Sequence, residues 1–191
     1  MRVAKTIATI DHISQGRFGI NIVAGWNEEE IGMFGLTQRE HDERYDYADE
    51  FMGVLVRLCN EKERFDYHGK YFNVPGAFSE PNPVQTPRPV VMGAAISPKG
   101  HEFAAKHADI NFIAFDDLST AKRLVENVKS VARDKYGREI IVFGMGSIFC
   151  AESEKQAQRD YHYYVDEMGD WETANRMVDA IAKNEHMGHF E

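Results

Sequence analysis

Hydrophobic positions along the chain switch between the 3.6-residue repeat of a helix and the short continuous runs of a buried strand. Val3, Ile7, Ile10 and Ile13 recur at helical spacing with no capping residue ahead of them, and Gln15-Gly16-Arg17 ends that helix. Phe18 to Val23 reads as a buried strand that emerges at Gly25. Thr37 with Glu40 three residues on has the form of a capping box, opening a helix with Tyr45, Ala48, Phe51, Leu55 and Leu58 as its apolar stripe. Phe65-Asp66-Tyr67 and Tyr71-Phe72-Asn73, either side of His68-Gly69, predict a small hairpin outside the main sheet. Pro75, Pro81, Pro83 and Pro87 mark an extended stretch without regular structure.

The second half repeats strand and helix. Pro89 to Ala95 reads as a buried strand, and Ser97-Pro98 supplies an N-cap followed by proline at the first helical position. That helix carries Phe103, Ala104 and Ala105 and ends near His107. Ile110 to Phe115 is a third strand. Leu124, Val128 and Val131 mark a helix closed by Gly137, and Ile140 to Ala151 is a fourth strand. Ser153 and Asp170 cap two further helices, the first with Tyr161, Tyr164 and Met168, the second with Met177 and Ile181. Such alternation predicts an α/β fold, with parallel strands at 18–24, 89–95, 110–115 and 140–151 and covering helices. Four strands do not close a barrel that needs eight and about 250 residues, so the pattern fits either an open sheet or part of a barrel. No internal repeat or linker divides the 191 residues, which predicts a single domain over 1–191.

Composition narrows the partners. A net charge of −9 argues against nucleic acid or an anionic membrane as the main partner. No apolar run is long enough to span a bilayer, and the first residues lead into no signal-peptide core, so a cytoplasmic location is expected. Cys59 and Cys150 fall in a helical and a strand pattern, which predicts two buried free thiols.

Several polar residues stand where chemistry is placed in such folds. Ser97 follows a strand rich in small residues and opens a helix. Backbone N–H groups there can approach a phosphate, with Lys99 and Gly100 compatible, or Ser97 simply caps its helix. Asn21, between Ile20 and Ile22 on what reads as a central strand, must satisfy its amide through local backbone or a ligand. His41 and Tyr45 are four apart on one helix face, with Arg44 adjacent. Glu28-Glu29-Glu30 reads as a solvated acidic run. His186 and His189 lie in a polar tail without the spacing of a standard zinc motif, so no metal is expected. The chain has no Gly-x-Ser-x-Gly, P-loop or dinucleotide fingerprint.

Asp11-His12-Ile13-Ser14-Gln15-Gly16-Arg17-Phe18-Gly19-Ile20-Asn21-Ile22-Val23-Ala24-Gly25-Trp26 resembles the fourth-strand region of the bacterial-luciferase-like flavin monooxygenases. His41-Asp42-Glu43-Arg44-Tyr45 and Gly93-Ala94-Ala95-Ile96-Ser97-Pro98-Lys99-Gly100 resemble the next two signatures in the same order. The pyrimidine-oxygenase and dimethylsulfone-monooxygenase branch is the nearest in pattern. The resemblance implies a (β/α)8 barrel of the TIM type, present here as a partial barrel of about four strand-helix units, with FMN at the C-terminal mouth. It places Asn21 against the flavin ring, His41 and Tyr45 beside the phosphate or ribityl chain with Arg44 at the same edge, and Ser97 on the phosphate. It places Glu30 at a flavin-site position of the pyrimidine-ring-opening branch.

The same resemblance implies that reduced FMN comes from a separate NAD(P)H-dependent reductase and reacts with O2 to oxygenate a small organic substrate. His41 is the one candidate catalytic proton donor. Met145 and Ser147 stand where the alkanesulfonate branch places basic side chains, which favours a neutral heterocycle or organosulfur substrate. Two other readings share the pattern: a deazaflavin-dependent hydride-transfer enzyme on the same barrel, and a non-catalytic truncated fragment or assembly partner. Against the family pattern the chain reads as a central piece of the barrel, expected to self-associate as a homo-oligomer and to turn over weakly alone.

Overall fold

The computed structural model describes residues 2–95, 97–115 and 117–183. The fold divides between Gly144 and Met145 into two compact units. In chain order the first contains α1 (Arg2–Ser14), β1 (Gly19–Ile22), α2 (Glu28–Met33), α3 (His41–Asn60), β2 (Phe65–His68), β3 (Asn73–Ala77), β4 (Val90–Gly93), α4 (Pro98–His107), β5 (Ile110–Ile113), α5 (Leu118–Tyr136) and β6 (Ile141–Gly144). The second contains α6 (Glu154–His162), a π-helical turn (Tyr163–Glu167) and α7 (Trp171–Lys183).

Four strands form one parallel sheet in the order β1-β4-β5-β6, and β2 and β3 form a separate antiparallel hairpin. Parallel neighbours need a crossover, and α4 and α5 supply the last two. Neighbouring helices pack in the order α1, α3, α4, α5. Ile20, Ile22, Val91 and Val142 face the core they share with Met52, Leu55, Leu58, Ala104, Val128 and Ala132. Ala104, Ala105 and Ala108 are fully buried, and these small side chains let α4 lie close over β4. A Cβ on Gly93 would stand 3.6 Å from the Ala104 Cβ. The opposite face carries Asn21, Met92, Ile110 and Ile141 in one register row, with Phe112 beside Phe143 in the next. This is the strand-helix arrangement of a partial (β/α) barrel, as the sequence predicts.

Several expectations need correction. The helix expected from Thr37 begins at His41, and its N-cap Glu40 makes no side-chain cap bond, so the capping box does not form. Gln38 instead donates to the Gly25 carbonyl at 3.3 Å, a tertiary bond that competes with local capping. The acidic run is not plain loop but the first turn of α2, where negative charge suits the helix dipole and Asn27 caps the Glu30 amide. On α1 the buried positions are Ala4, Ile7, Ala8 and Asp11, while Val3, Ile10 and Ile13 are exposed. Pro75 lies inside β3 rather than in the irregular stretch.

The fourth predicted strand is also shorter than expected. β6 stops at Gly144, so Met145, Ser147 and Cys150 lie outside the sheet, and Cys150 is exposed rather than buried. Asn21 is exposed on β1, which is an edge of the four-stranded sheet rather than a central strand. The hairpin forms outside the main sheet as expected, but its second strand runs from Asn73 to Ala77 rather than over Tyr71-Phe72-Asn73, because Glu50 of α3 accepts from the Lys70, Tyr71 and Phe72 amides at 2.6, 2.6 and 2.9 Å and ties that stretch to the helix layer. Ser153 and Asp170 cap their helices as predicted. His186 and His189 lie outside the described residues.

Candidate functional site at the mouth of the sheet

The connection after β1, which runs through α2 to the start of α3, and the connection after β4 converge through their side chains. Ser97 caps α4: its Oγ accepts from the Gly100 amide at 3.1 Å, and Pro98 fixes the first helical φ. His41 opens α3, and its Nε2 stands 3.0 Å from the same Ser97 Oγ. Its Nδ1 lies 2.7 Å from Asp42 Oδ1, which favours the proton on Nδ1 and leaves Nε2 to accept from the Ser97 hydroxyl. One serine oxygen therefore accepts from the first turn of α4 and donates to the first turn of α3.

Tyr45 completes the contact between the two helices. Its ring lies edge-on to His41 at 5.2 Å and tilted against Phe103 at 5.8 Å. A Cβ on Gly100 would stand 2.5 Å from the Tyr45 hydroxyl oxygen and 2.7 Å from the Ala95 Cβ, so only glycine allows this approach. Arg44 reaches the loop after β1, where its Nη1 and Gln38 both donate to the Gly25 carbonyl. Gly25 itself holds φ at +77°, a left-handed turn that glycine adopts without strain. Lys99 points to Asp46 at 3.0 Å, and its ammonium pKa is raised above the usual value chiefly by that hydrogen bond.

The structure therefore brings His41, Tyr45 and Ser97 together and sets the Arg44 side chain against the loop after β1. Asn21 lies on the strand face turned from the helices. Glu30 is exposed in α2, and its recorded hydrogen bond is through its amide, not its carboxylate. Sequence reasoning missed two buried polar residues beneath the Ser97 turn. Asn111 of β5 is fully buried and accepts from the Ala95 amide at 3.4 Å. His101 of α4 is 5% exposed; burial pushes its pKa down, opposed by a hydrogen bond to the Ala95 main chain. Asn111 carried a signal, a polar side chain within the apolar run Ile110 to Ile113, whereas His101, between Gly100 and Glu102, carried none.

Ser97, His41 and Asp42 are hydrogen-bonded in the order of a nucleophilic triad. Two features separate them from one. The Asp42 side chain is 75% exposed, where an orienting carboxylate is buried, and the serine oxygen already serves as a helix cap. Among the described residues no group of three or more His, Cys, Asp or Glu side chains could hold a metal ion. Among them, too, no helix is long and apolar enough to cross a membrane.

Comparison with known proteins decides the lineage. The family model described as luciferase-like monooxygenase matches residues 1–190. The chain belongs to that family. It is 35% identical over 158 residues to a long-chain alkane monooxygenase from Geobacillus thermodenitrificans (strain NG80-2), covering 71% of this chain and 35% of that protein. It is 31% identical over 166 residues to pyrimidine monooxygenase RutA from Cronobacter sakazakii (strain ATCC BAA-894), covering 85% of this chain and 48% of the relative. Among solved structures, riboflavin lyase (RcaE), crystallised with modified FMN and riboflavin, superposes with a TM-score of 0.79 at 26% identity, over 86% of this chain and 42% of that one. This luciferase-like chain spans between a third and a half of the length of the curated relatives it matches.

Proposed function

We propose that this chain carries the phosphate-binding side of an FMN site in a flavin-dependent monooxygenase that oxygenates a small organic substrate with O2. The observation that carries the reading is the Ser97 hydroxyl, held at the N-terminus of α4 and 3.0 Å from His41. A helix N-terminus offers unpaired N–H donors and the positive end of its dipole to an anion. Arg44 supports the fit: its Nε is a buried donor with no partner, at the edge where the phosphate or ribityl chain would lie. When bound, reduced FMN would supply the electrons that activate O2.

In this reading Ser97 binds the phosphate, and Tyr45 and His41 wall the same seat. Arg44 adds charge at its edge. His41 is also the candidate proton donor. Asn21 meets the flavin ring from the inner strand face, and Glu30 approaches it from α2. Reduced flavin comes from a separate NAD(P)H-dependent reductase. A neutral heterocycle or organosulfur compound suits the sequence after β6, because Met145-Gly146-Ser147 brings no basic side chain.

A titration of FMN and riboflavin against the full chain, followed by flavin fluorescence, tests the phosphate seat. FMN is expected to bind at least about tenfold more tightly than riboflavin, the scale of one charge-assisted hydrogen bond. Ser97→Ala weakens FMN several-fold and leaves riboflavin alone. Ser97→Asp keeps a good cap but sets a carboxylate against the phosphate, so it weakens FMN further. Equal affinity for the two flavins, or wild-type FMN binding by Ser97→Asp, would refute the reading.

A further inference from the structure

We infer that Phe112 and Phe143 form the substrate-facing wall of the site and select a neutral, flat aromatic ring over an aliphatic or anionic molecule. This rests on the monooxygenase reading above and narrows its substrate class. Each of the four parallel strands is four residues long, and the third residue of each, Asn21, Met92, Phe112 and Phe143, is its last on the face turned from the helices. The strands are staggered: Asn21 and Met92 lie level with Ile110 and Ile141, and Phe112 pairs with Phe143 one inward position nearer the C-terminal mouth. Ile110 and Ile141 therefore make an aliphatic floor. The two phenyl rings rise above it, at the end of the sheet where α/β folds take their ligands.

Position and chemistry together name the guest. On β5 the flanking Asn111 and Ile113 are buried, and on β6 Val142 packs into the core, so the phenylalanines alternate onto the open face. Branched aliphatics dominate packed barrel interiors, and Ile110 and Ile141 follow that rule, whereas an aromatic pair above them does not. The rings meet edge-on, 5.7 Å apart at 71°, and Phe143 is 45% exposed while Phe112 is half-buried. An edge-to-face pair leaves a ring face open. A third ring stacked there gains a quadrupole contact that an aliphatic guest of equal area does not make. Among the described strands no position on this face is charged, so an anion would lose its hydration without a partner. Asn21 stands two strands from Phe112, about 10 Å at the spacing of neighbouring strands. A flavin ring on Asn21 and a second ring on the phenylalanines are then neighbours rather than competitors.

The experiment binds three molecules of one carbon frame to the full chain at neutral pH: naphthol, its saturated counterpart decahydronaphthol, and naphthalenesulfonate. Calorimetry gives the affinities, and proton NMR reads ring-current shifts of the bound naphthol. Naphthol is expected to bind about fivefold more tightly than either of the others, with its resonances moved upfield. Phe143→Leu keeps an apolar wall without the ring. It should abolish the naphthol preference and the shifts, while decahydronaphthol and FMN affinities stay within about twofold. Should Phe143→Leu fail to fold, Phe112→Leu removes the other ring and carries the same test. No naphthol binding, no preference for it over both other molecules, or a Phe143→Leu chain that keeps the preference would overturn the inference. Loss of FMN binding along with naphthol would assign the ring to packing and overturn it as well. A wild-type chain that binds FMN and riboflavin equally, yet still prefers naphthol and moves its resonances, would refute the phosphate seat and leave the aromatic wall standing.

Discussion

Ser97 Oγ and His41 Nε2, fifty-six residues apart in sequence, lie 3.0 Å apart and join the N-terminal turns of α3 and α4. Because Ser97 also caps α4, the bond couples a helix start to a helix start. A double-mutant cycle of Ser97→Ala and His41→Ala should return a coupling of about 0.5–1.5 kcal/mol in denaturant melts. Strict additivity within about 0.3 kcal/mol would show that the contact does not contribute.

At Gly100 the same two helices approach closely. Alanine there gains up to about 1 kcal/mol of helix propensity, but its methyl would stand 2.5 Å from the Tyr45 hydroxyl and 2.7 Å from the Ala95 Cβ. Overpacking of that kind costs about 1–3 kcal/mol, so Gly100→Ala should be net destabilising in urea melts. Adding Tyr45→Phe removes the nearer clash and should recover part of the loss, because the Ala95 contact remains. A Gly100→Ala protein as stable as wild type would contradict the packing described.

The local signals were legible in the sequence. Ser97-Pro98 announced its cap because the cap bond lies within four residues, and His41 and Tyr45 were paired by helical spacing alone. What the sequence hid depends on tertiary partners. The start of α3 slipped from Thr37 to His41 where Gln38 reaches back to Gly25 and Arg39 stacks over Tyr47 at 4.6 Å. The apolar run after Ile140 outlasts its ladder, since β6 stops at Gly144, where the Phe115 ring packs against the glycine. His101 and Asn111 had no motif, for their partner is the backbone of Ala95, which any sequence could supply. The parallel direction of the strands followed from strand-helix alternation, while their spatial order and the exposed edge position of Asn21 did not.

Asp109 joins the N-terminal ends of β4 and β5 to the crossover arginines. Arg88 approaches it at 2.5 and 3.1 Å, Arg138 at 3.3 Å, and the Val91 amide donates at 2.8 Å. Burial pushes its carboxyl pKa up, but the Arg88 and Val91 hydrogen bonds outweigh this and hold it below the ordinary 3.8. A depressed folded pKa adds stability above the unfolded value, and that stability is lost as pH falls through the folded value. Asp109→Asn should therefore be less stable than wild type at neutral pH. The gap should close in urea melts taken from about pH 4 downward. A gap that stays constant down to strong acid would rule out the linkage.

The two cysteines should separate cleanly by reactivity. Burial pushes the Cys59 thiol up to about 11, only partly relieved by the nearby Arg88 charge, and the residue lies on the buried side of α3 in the hydrophobic core. At about pH 8 its thiolate would amount to roughly one part in a thousand, and a reagent would still have to reach it. Cys150, in the segment between β6 and α6, is exposed. A disulfide reagent should therefore titrate one thiol in the native protein and two after unfolding. Cys150→Ser should abolish the native signal, whereas Cys59→Ala should leave it unchanged while lowering stability through the cavity it opens. Two rapid equivalents from the native chain would mean that the core around Cys59 is open to solvent.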